Sequence, residues 1–201
     1  MFLAEPPLTP QLAEAFEVER TKDGYVMNLS RLWAWRPDVQ QAFAATRQGL
    51  LGATSLSSRE VAVIVCATAS TLGDSYCSIA WGMRLAQMSD PVTAAEVIEG
   101  ERDAEALNER ERALAAWTRA VVAGPNSTSA ADVEALRAAG LSDREIFEAT
   151  ALAAFRLAFS TVNDALGVLP DAPLAAQLPT ELRTVIDYGR PAQAVETSAR
   201  D

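Results

Sequence analysis

The chain contains no histidine among its 201 residues, and it has only two cysteines. The absence of histidine removes the usual general base, the commonest metal ligand and both the Ser-His and Cys-His pairs. Any catalysis must therefore use carboxylates, thiols, tyrosines or water. Two cysteines do not make a disulfide framework, so each thiol is either buried filler or part of the chemistry.

Basic surface and long apolar segments are also scarce. The net charge of −10, without a basic stripe, argues against nucleic-acid binding. The longest apolar run, residues 61–67, is too short to span a bilayer, and the first residues lack the features of a signal peptide. No spacing of acidic or thiol ligands indicates a metal site, and nothing suggests an organic cofactor. We therefore expect a cytoplasmic protein with no membrane, metal or cofactor requirement.

What the chain does have is enough apolar content, 49%, to bury a substantial core. Nearly every segment carries the start and stop signals of a helix. We predict one all-α domain over residues 1–201. Its core half would span 25–105 and contain the candidate site, its second helical half would span 106–190, and 191–201 would form a polar tail.

Several helix boundaries follow from local chemistry. Helices are expected from Thr9 to Gly24, from Asn28 to a stop before Pro37, and from Pro37 to about Gly49. A related signature starts helices at 56–60, 107–111 and 141–145. Residues 59–72 fit either a buried strand or a helix, but their length and a capping box between Ser57 and Glu60 favour a central buried helix.

The segment LGDSYC at 72–77 ends that helix and starts another. Asp74 is the expected N-cap, and Cys77 falls at the third helical position, where backbone amides favour a more acidic and more nucleophilic thiol. The Asp74 carboxylate acts in the opposite direction. Trp81 shares the helix face of Cys77 and would give the thiol an apolar wall, with Tyr76 beside it.

Structural roles would also explain each of these residues. Cys77 could be buried filler on an amphipathic helix, and Cys66 fits a core position better than a reactive one. Glu60 already has a structural role as a capping-box residue. It reaches the region of Cys77 only if the two helices pack antiparallel across the turn at 71–74.

Five features follow one another along the chain: LSSRE at 56–60, the alanine-rich helix after it, SYCSIAW at 75–81, LRAAGLSD at 136–143 and DALGV at 164–168. Their order resembles the AhpD-like family, also called the carboxymuconolactone decarboxylase family, and in particular its peroxidase-related branch. It covers about residues 25 to 190. It implies an AhpD-like helical bundle.

Family members with the full motif have Cys-x-x-Cys, a histidine four residues later and an upstream glutamate. The resemblance implies a dithiol that reduces peroxides. Here Cys77 matches the second cysteine and Glu60 the glutamate, whereas Asp74 replaces the first cysteine and Trp81 the histidine. Ser160 and Thr161 stand where an Asn-Arg pair is frequent.

The incomplete motif leaves three hypotheses. Cys77 could reduce a peroxide in a one-cysteine cycle, restored by an external thiol. Alternatively, Glu60 and Asp74 could form a carboxylate pair for acid/base chemistry of the decarboxylase type. The third hypothesis is a non-catalytic binding protein. In each case we expect a small-molecule ligand and a homo-oligomer, because the helices are too apolar to be covered by one short chain.

Overall fold

The fold is entirely helical over the residues that the computed structural model describes, 1–100 and 106–193. The prediction of an all-α protein is therefore confirmed. The elements in chain order are α1 (Pro10–Asp23), α2 (Asn28–Trp33), α3 (Pro37–Gly52), α4 (Ser58–Leu72), α5 (Ser75–Met88), α6 (Pro91–Glu99), α7 (Glu109–Ala123), a 3-10 turn (Pro125–Ser127), α8 (Ala130–Ala138), α9 (Asp143–Ala165), α10 (Ala172–Ala176) and α11 (Thr180–Val185).

The helix starts follow the predicted capping chemistry. Ser57 and Glu60 form the capping box of α4, and the same reciprocal arrangement begins α7 and α9. Thr9 caps α1, and Gly24 ends it in the left-handed conformation. The end of α3 differs from the prediction, since this helix starts at Pro37 as expected but runs past Gly49 to Gly52.

Helix α4 is the buried centre of the molecule, as its uniformly apolar sequence predicts. Ten of its residues, from Glu60 to Ala69, are buried. One face, with Ala62, Val63 and Cys66, packs into a core shared with α5, α6 and α11. Another face, with Val61 and Ile64, packs into a second core shared with α7 and α9. Helices from both predicted halves thus meet on α4.

The chain reverses direction between α4 and α5. Gly73 ends α4 with a φ of 83°, a left-handed conformation that favours glycine, and Asp74 immediately caps α5. The C-terminal end of α4 therefore lies beside the N-terminal end of α5, and this places Tyr76 and Cys77 at the edge of the buried core.

Two earlier expectations concern the polar tail and the absence of a membrane-spanning segment. Most of the predicted polar tail, residues 194–201, lies outside the described residues. Within the part that is described, no helix is long and apolar enough to cross a membrane.

Candidate functional site

The first turns of α5 open onto a cavity of about 510 Å³ that also contacts α3, α9 and the chain before α2. Its walls are mostly apolar and aromatic. They include Phe43, Tyr76, Trp81, Met83, Phe159 and Leu174. Cys77 is part of this wall, so the two predicted pocket-lining residues, Tyr76 and Trp81, lie in the same cavity as the predicted nucleophile.

Cys77 is only 3% exposed and is held by polar groups from two helices. The Nη2 of Arg156, on α9, donates a hydrogen bond to its Sγ at 3.0 Å, and the Oγ of Ser160 lies 3.5 Å from the same sulfur. The Cys77 backbone amide donates to Asp74 Oδ1 at 2.9 Å, as expected for an N-cap. The sulfur therefore sits between a cation and a carboxylate.

Burial raises the pKa of the Cys77 thiol to about 12, despite the lowering effect of Arg156. The charge of Asp74 raises it further. This direction is opposite to that expected from the helix N-terminus alone. The desolvation of a thiolate in this wall outweighs the helix amides, so the thiol holds its proton at neutral pH.

Asp74 is fully buried, and only one of its two carboxylate oxygens has a hydrogen-bond partner. Its Oδ1 accepts the Cys77 amide, whereas its Oδ2 has no hydrogen-bond partner among the described residues. The Asp74 carboxylate also interacts with the Cys77 thiol, whose pKa it raises. A carboxylate oxygen that has no other partner is a candidate acceptor for the thiol proton.

On the far side of Asp74 lies a smaller cleft between α9 and the segment after α11, lined by Asp164, Gly189 and Arg190. Burial, together with the charge of Asp74, raises the pKa of Asp164 to about 7. Two carboxyl groups therefore interact across the turn that begins α5.

Arginine side chains lie against two aromatic residues of the cavity, Trp81 and Phe159. The guanidinium carbon of Arg84 lies 4.6 Å from the centre of the Trp81 ring, and that of Arg156 lies 5.5 Å from it. Arg156 also lies 5.2 Å from the centre of the Phe159 ring. Trp81, which stands where the motif that the sequence resembles has a histidine, thus lies beside two guanidinium groups.

Glu60 does not join this site. It begins α4, whereas Cys77 follows the end of α4, and the helical rise alone separates Glu60 from Leu72 by about 18 Å. Its carboxylate forms an ion pair with Arg110 at 2.8 Å and completes the capping box. The antiparallel packing of α4 and α5 is present, but it places the start of α4 beside the end of α5 and away from Cys77.

The other cysteine does not line the cavity. Cys66 is completely buried in the core on α4, and both thiols are free. Burial raises the pKa of Cys66 to about 12. The core role expected for it agrees with this position.

Three cationic residues of the cavity were not identified from the sequence: Arg47 on α3, Arg84 on α5 and Arg156 on α9. Their local sequence contains only a partial signal, because other arginines of the chain share it. None has an acidic residue three or four positions away, whereas exposed arginines such as Arg20 and Arg137 do, and these form ion pairs.

Comparisons with solved structures identify similar folds. A peroxidase-related protein from Silicibacter sp. TM1040 matches with a TM-score of 0.77 and 28% identity, over 88% of this chain and 94% of that chain. The alkylhydroperoxidase AhpD core of Ralstonia eutropha JMP134, an uncharacterized peroxidase-related protein, matches with a TM-score of 0.75 and 26% identity, over 86% of this chain and 93% of that one.

A third structure is the apo form of the debrominase Bmp8, with a TM-score of 0.72 and 18% identity over 92% of this chain and 98% of that chain. At this identity the likeness concerns the fold alone. No family model and no curated protein matches the chain.

Proposed function

Since this chain has the AhpD-like fold and resembles peroxidase-related proteins of that family, we propose that it is a thiol-based oxidoreductase that reduces a peroxide at Cys77. The cycle uses one cysteine, and an external thiol restores it. The observation that carries the proposal is the position of the Cys77 sulfur, which lines the cavity and accepts a hydrogen bond from Arg156.

The first step oxidises the sulfur. Cys77 attacks the terminal oxygen of a hydroperoxide, the O–O bond breaks, and the products are a Cys77 sulfenic acid and an alcohol. The thiol is protonated at neutral pH, so its proton must leave as the S–O bond forms. Asp74 Oδ2 accepts it and passes it to the departing alkoxide, while Arg156 stabilises the negative charge that develops on sulfur.

The second step needs a reductant from outside the chain. Cys66 is the only other cysteine, and it is buried away from the cavity. One external thiol therefore attacks the sulfenic acid and releases water, and a second thiol displaces Cys77 from the mixed disulfide. The sulfur returns to its reduced state, and the external thiols leave as a disulfide.

The geometry gives less support to the carboxylate alternative. Acid/base chemistry of the decarboxylase type was expected to use Glu60 and Asp74 as a pair, but Glu60 is bound to Arg110 at the opposite end of α4. Asp74 would have to act without it.

The test is direct detection of the sulfenic acid. Reduced protein would be treated with a neutral hydroperoxide, cumene hydroperoxide, and separately with one that carries a carboxylate, linoleic acid hydroperoxide, each in the presence of dimedone, and examined by intact-protein mass spectrometry. We expect one adduct on the wild type and on Cys66→Ala, and none on Cys77→Ser. An unmodified wild-type protein, or an adduct on Cys77→Ser, would refute peroxide reduction at Cys77.

The role of Asp74 has a sharper test, because a base would speed the oxidation of Cys77 whereas a carboxylate that only repels the thiolate would slow it. Asparagine is as good an N-cap as aspartate, so Asp74→Asn keeps the helix start. As a base, Asp74 is worth on the order of 100-fold in rate, and its loss slows Cys77 oxidation at pH 7. If the carboxylate only repels the thiolate, the variant would oxidise faster.

A further inference from the structure

Three arginines converge on the cavity that contains Cys77. Arg47, Arg84 and Arg156 come from three different helices, α3, α5 and α9, and all line this cavity. Within residues 1–100 and 106–193, none of them forms an ion pair with a carboxylate. Acidic residues nevertheless outnumber basic ones in the chain, 27 to 17.

The cluster is costly for the folded protein. Arg156 is 8% exposed, and its Nε is buried without a hydrogen-bond partner. Burial lowers the pKa of both Arg47 and Arg84, and the positive charge of Arg156 lowers each of them further. Like charges held together near apolar walls are stabilised when an anion enters between them.

The remaining walls indicate what the anion is attached to. Phe43, Phe159, Met83 and Leu174 offer an apolar surface, and the cavity of about 510 Å³ is of a size that takes a small organic molecule. An inorganic anion would neutralise the arginines but would leave this apolar surface in contact with water. The cavity therefore fits a ligand with an anionic head and an apolar body.

We propose that the substrate is an organic hydroperoxide that carries a carboxylate. Arg47 and Arg84 bind the carboxylate through charged hydrogen bonds, the apolar body lies against Phe43 and Phe159, and Arg156 remains with the Cys77 sulfur. The peroxide part of this statement rests on the proposed function, whereas the carboxylate part rests on the arginines alone.

The carboxylate part can be tested without a peroxide. Binding of 4-phenylbutyrate and of its neutral analogue 4-phenylbutyramide would be measured by isothermal titration calorimetry with the full chain. We expect the carboxylate to bind at least about tenfold more tightly than the amide, as charged hydrogen bonds to arginine provide. The preference should weaken as salt is added.

Variants test whether the preference for the carboxylate over the amide depends on Arg47 and Arg84. Arg47→Met and Arg84→Met should each lose most of it, and Arg84→Lys should retain part of it. Arg137→Met, which removes an exposed arginine on α8, is the matched control and should leave it unchanged. The comparison of two ligands within one protein also separates loss of binding from loss of folding.

Two outcomes would overturn the proposal. Equal affinity for the carboxylate and the amide would mean that the cavity does not select anions. A preference that survives in both methionine variants would place the anion elsewhere. A failure of the sulfenic acid experiment together with intact carboxylate selectivity would reject the peroxidase chemistry and leave the ligand class standing.

Discussion

The carboxyl group of Asp164 is expected to destabilise the protein at neutral and alkaline pH. Its pKa is raised from its ordinary value of 3.8 to about 7, chiefly by burial and then by the charge of Asp74. Between these two values the folded chain keeps a proton that the unfolded chain releases, so folding stability falls as pH rises through this window. Below pH 3.8 both states are protonated, and there is no penalty.

The size of the effect follows from the same values. Each pKa unit corresponds to about 1.36 kcal/mol, so the full displacement would be worth roughly 4 kcal/mol. Asp164 is only half-buried and lines an open cleft, so solvent screening reduces this value. We therefore expect Asp164→Asn to stabilise the folded state by about 1 kcal/mol at pH 8, equivalent to roughly 2–4 °C in melting temperature.

Urea unfolding of both proteins at several pH values between 3.5 and 8, about the range that covers the shift, would measure the difference. The gain in the variant should be greatest at pH 8 and should vanish near the acid end. Asp143→Asn is the control of opposite sign, because Arg137 lowers the pKa of Asp143 and its removal should bring no gain. A gain for Asp164→Asn that is constant with pH would show that the carboxyl charge is not its cause.

Three further predictions concern other parts of the molecule. Arg110→Met should cost about 2 kcal/mol in urea unfolding, because it leaves the buried carboxylates of Glu60 and Glu145 without their common cation, whereas the exposed Arg137→Met should cost less than about 0.5 kcal/mol. Alkylation of Cys77 by iodoacetamide, with Cys77→Ser as the blank, should be slow at pH 8 and accelerate only at strongly alkaline pH, since its pKa is raised to about 12; rapid reaction at pH 7 would contradict this. Light scattering at micromolar concentration should give a multiple of the 21.5 kDa chain mass, because Val92 and Phe147 are exposed by 54% and 70%, and a monodisperse monomer would reject the predicted homo-oligomer.

Much of the fold was predictable because the helix boundaries depend on local chemistry. The capping boxes at Ser57 and Ser142 need only two side chains separated by three positions, so the sequence reveals them directly. The choice of helix over strand for 59–72 was correct for the same reason. The extension of α3 past Gly49 was not predictable, since a glycine inside a helix costs only about 1 kcal/mol and does not always end it.

The candidate site was predictable only where its residues are neighbours in sequence. Asp74 and Cys77 are joined by one helix turn, and their contact follows from that turn. The position of Glu60 depended on the length and direction of α4, and its predicted role assumed a closeness that the helix does not allow. Arg156 reaches Cys77 from another helix, and only tertiary packing brings the two together.

The two departures from the AhpD-like motif that this sequence resembles both lie close to Cys77 in the chain. With a histidine at position 81, an imidazole would move protons; Trp81 cannot, but its ring lies beside the guanidinium groups of Arg84 and Arg156. With a cysteine at position 74, the motif would supply a resolving thiol, whereas Asp74 supplies a buried carboxylate oxygen with no other partner. Cys77 is thus flanked by a guanidinium and a carboxylate, and neither group belongs to the motif. Because neither can form a disulfide with Cys77, the reduction of an oxidised Cys77 would depend on a thiol from outside the chain. The cavity beside Trp81 is the route by which such a thiol would reach the sulfur.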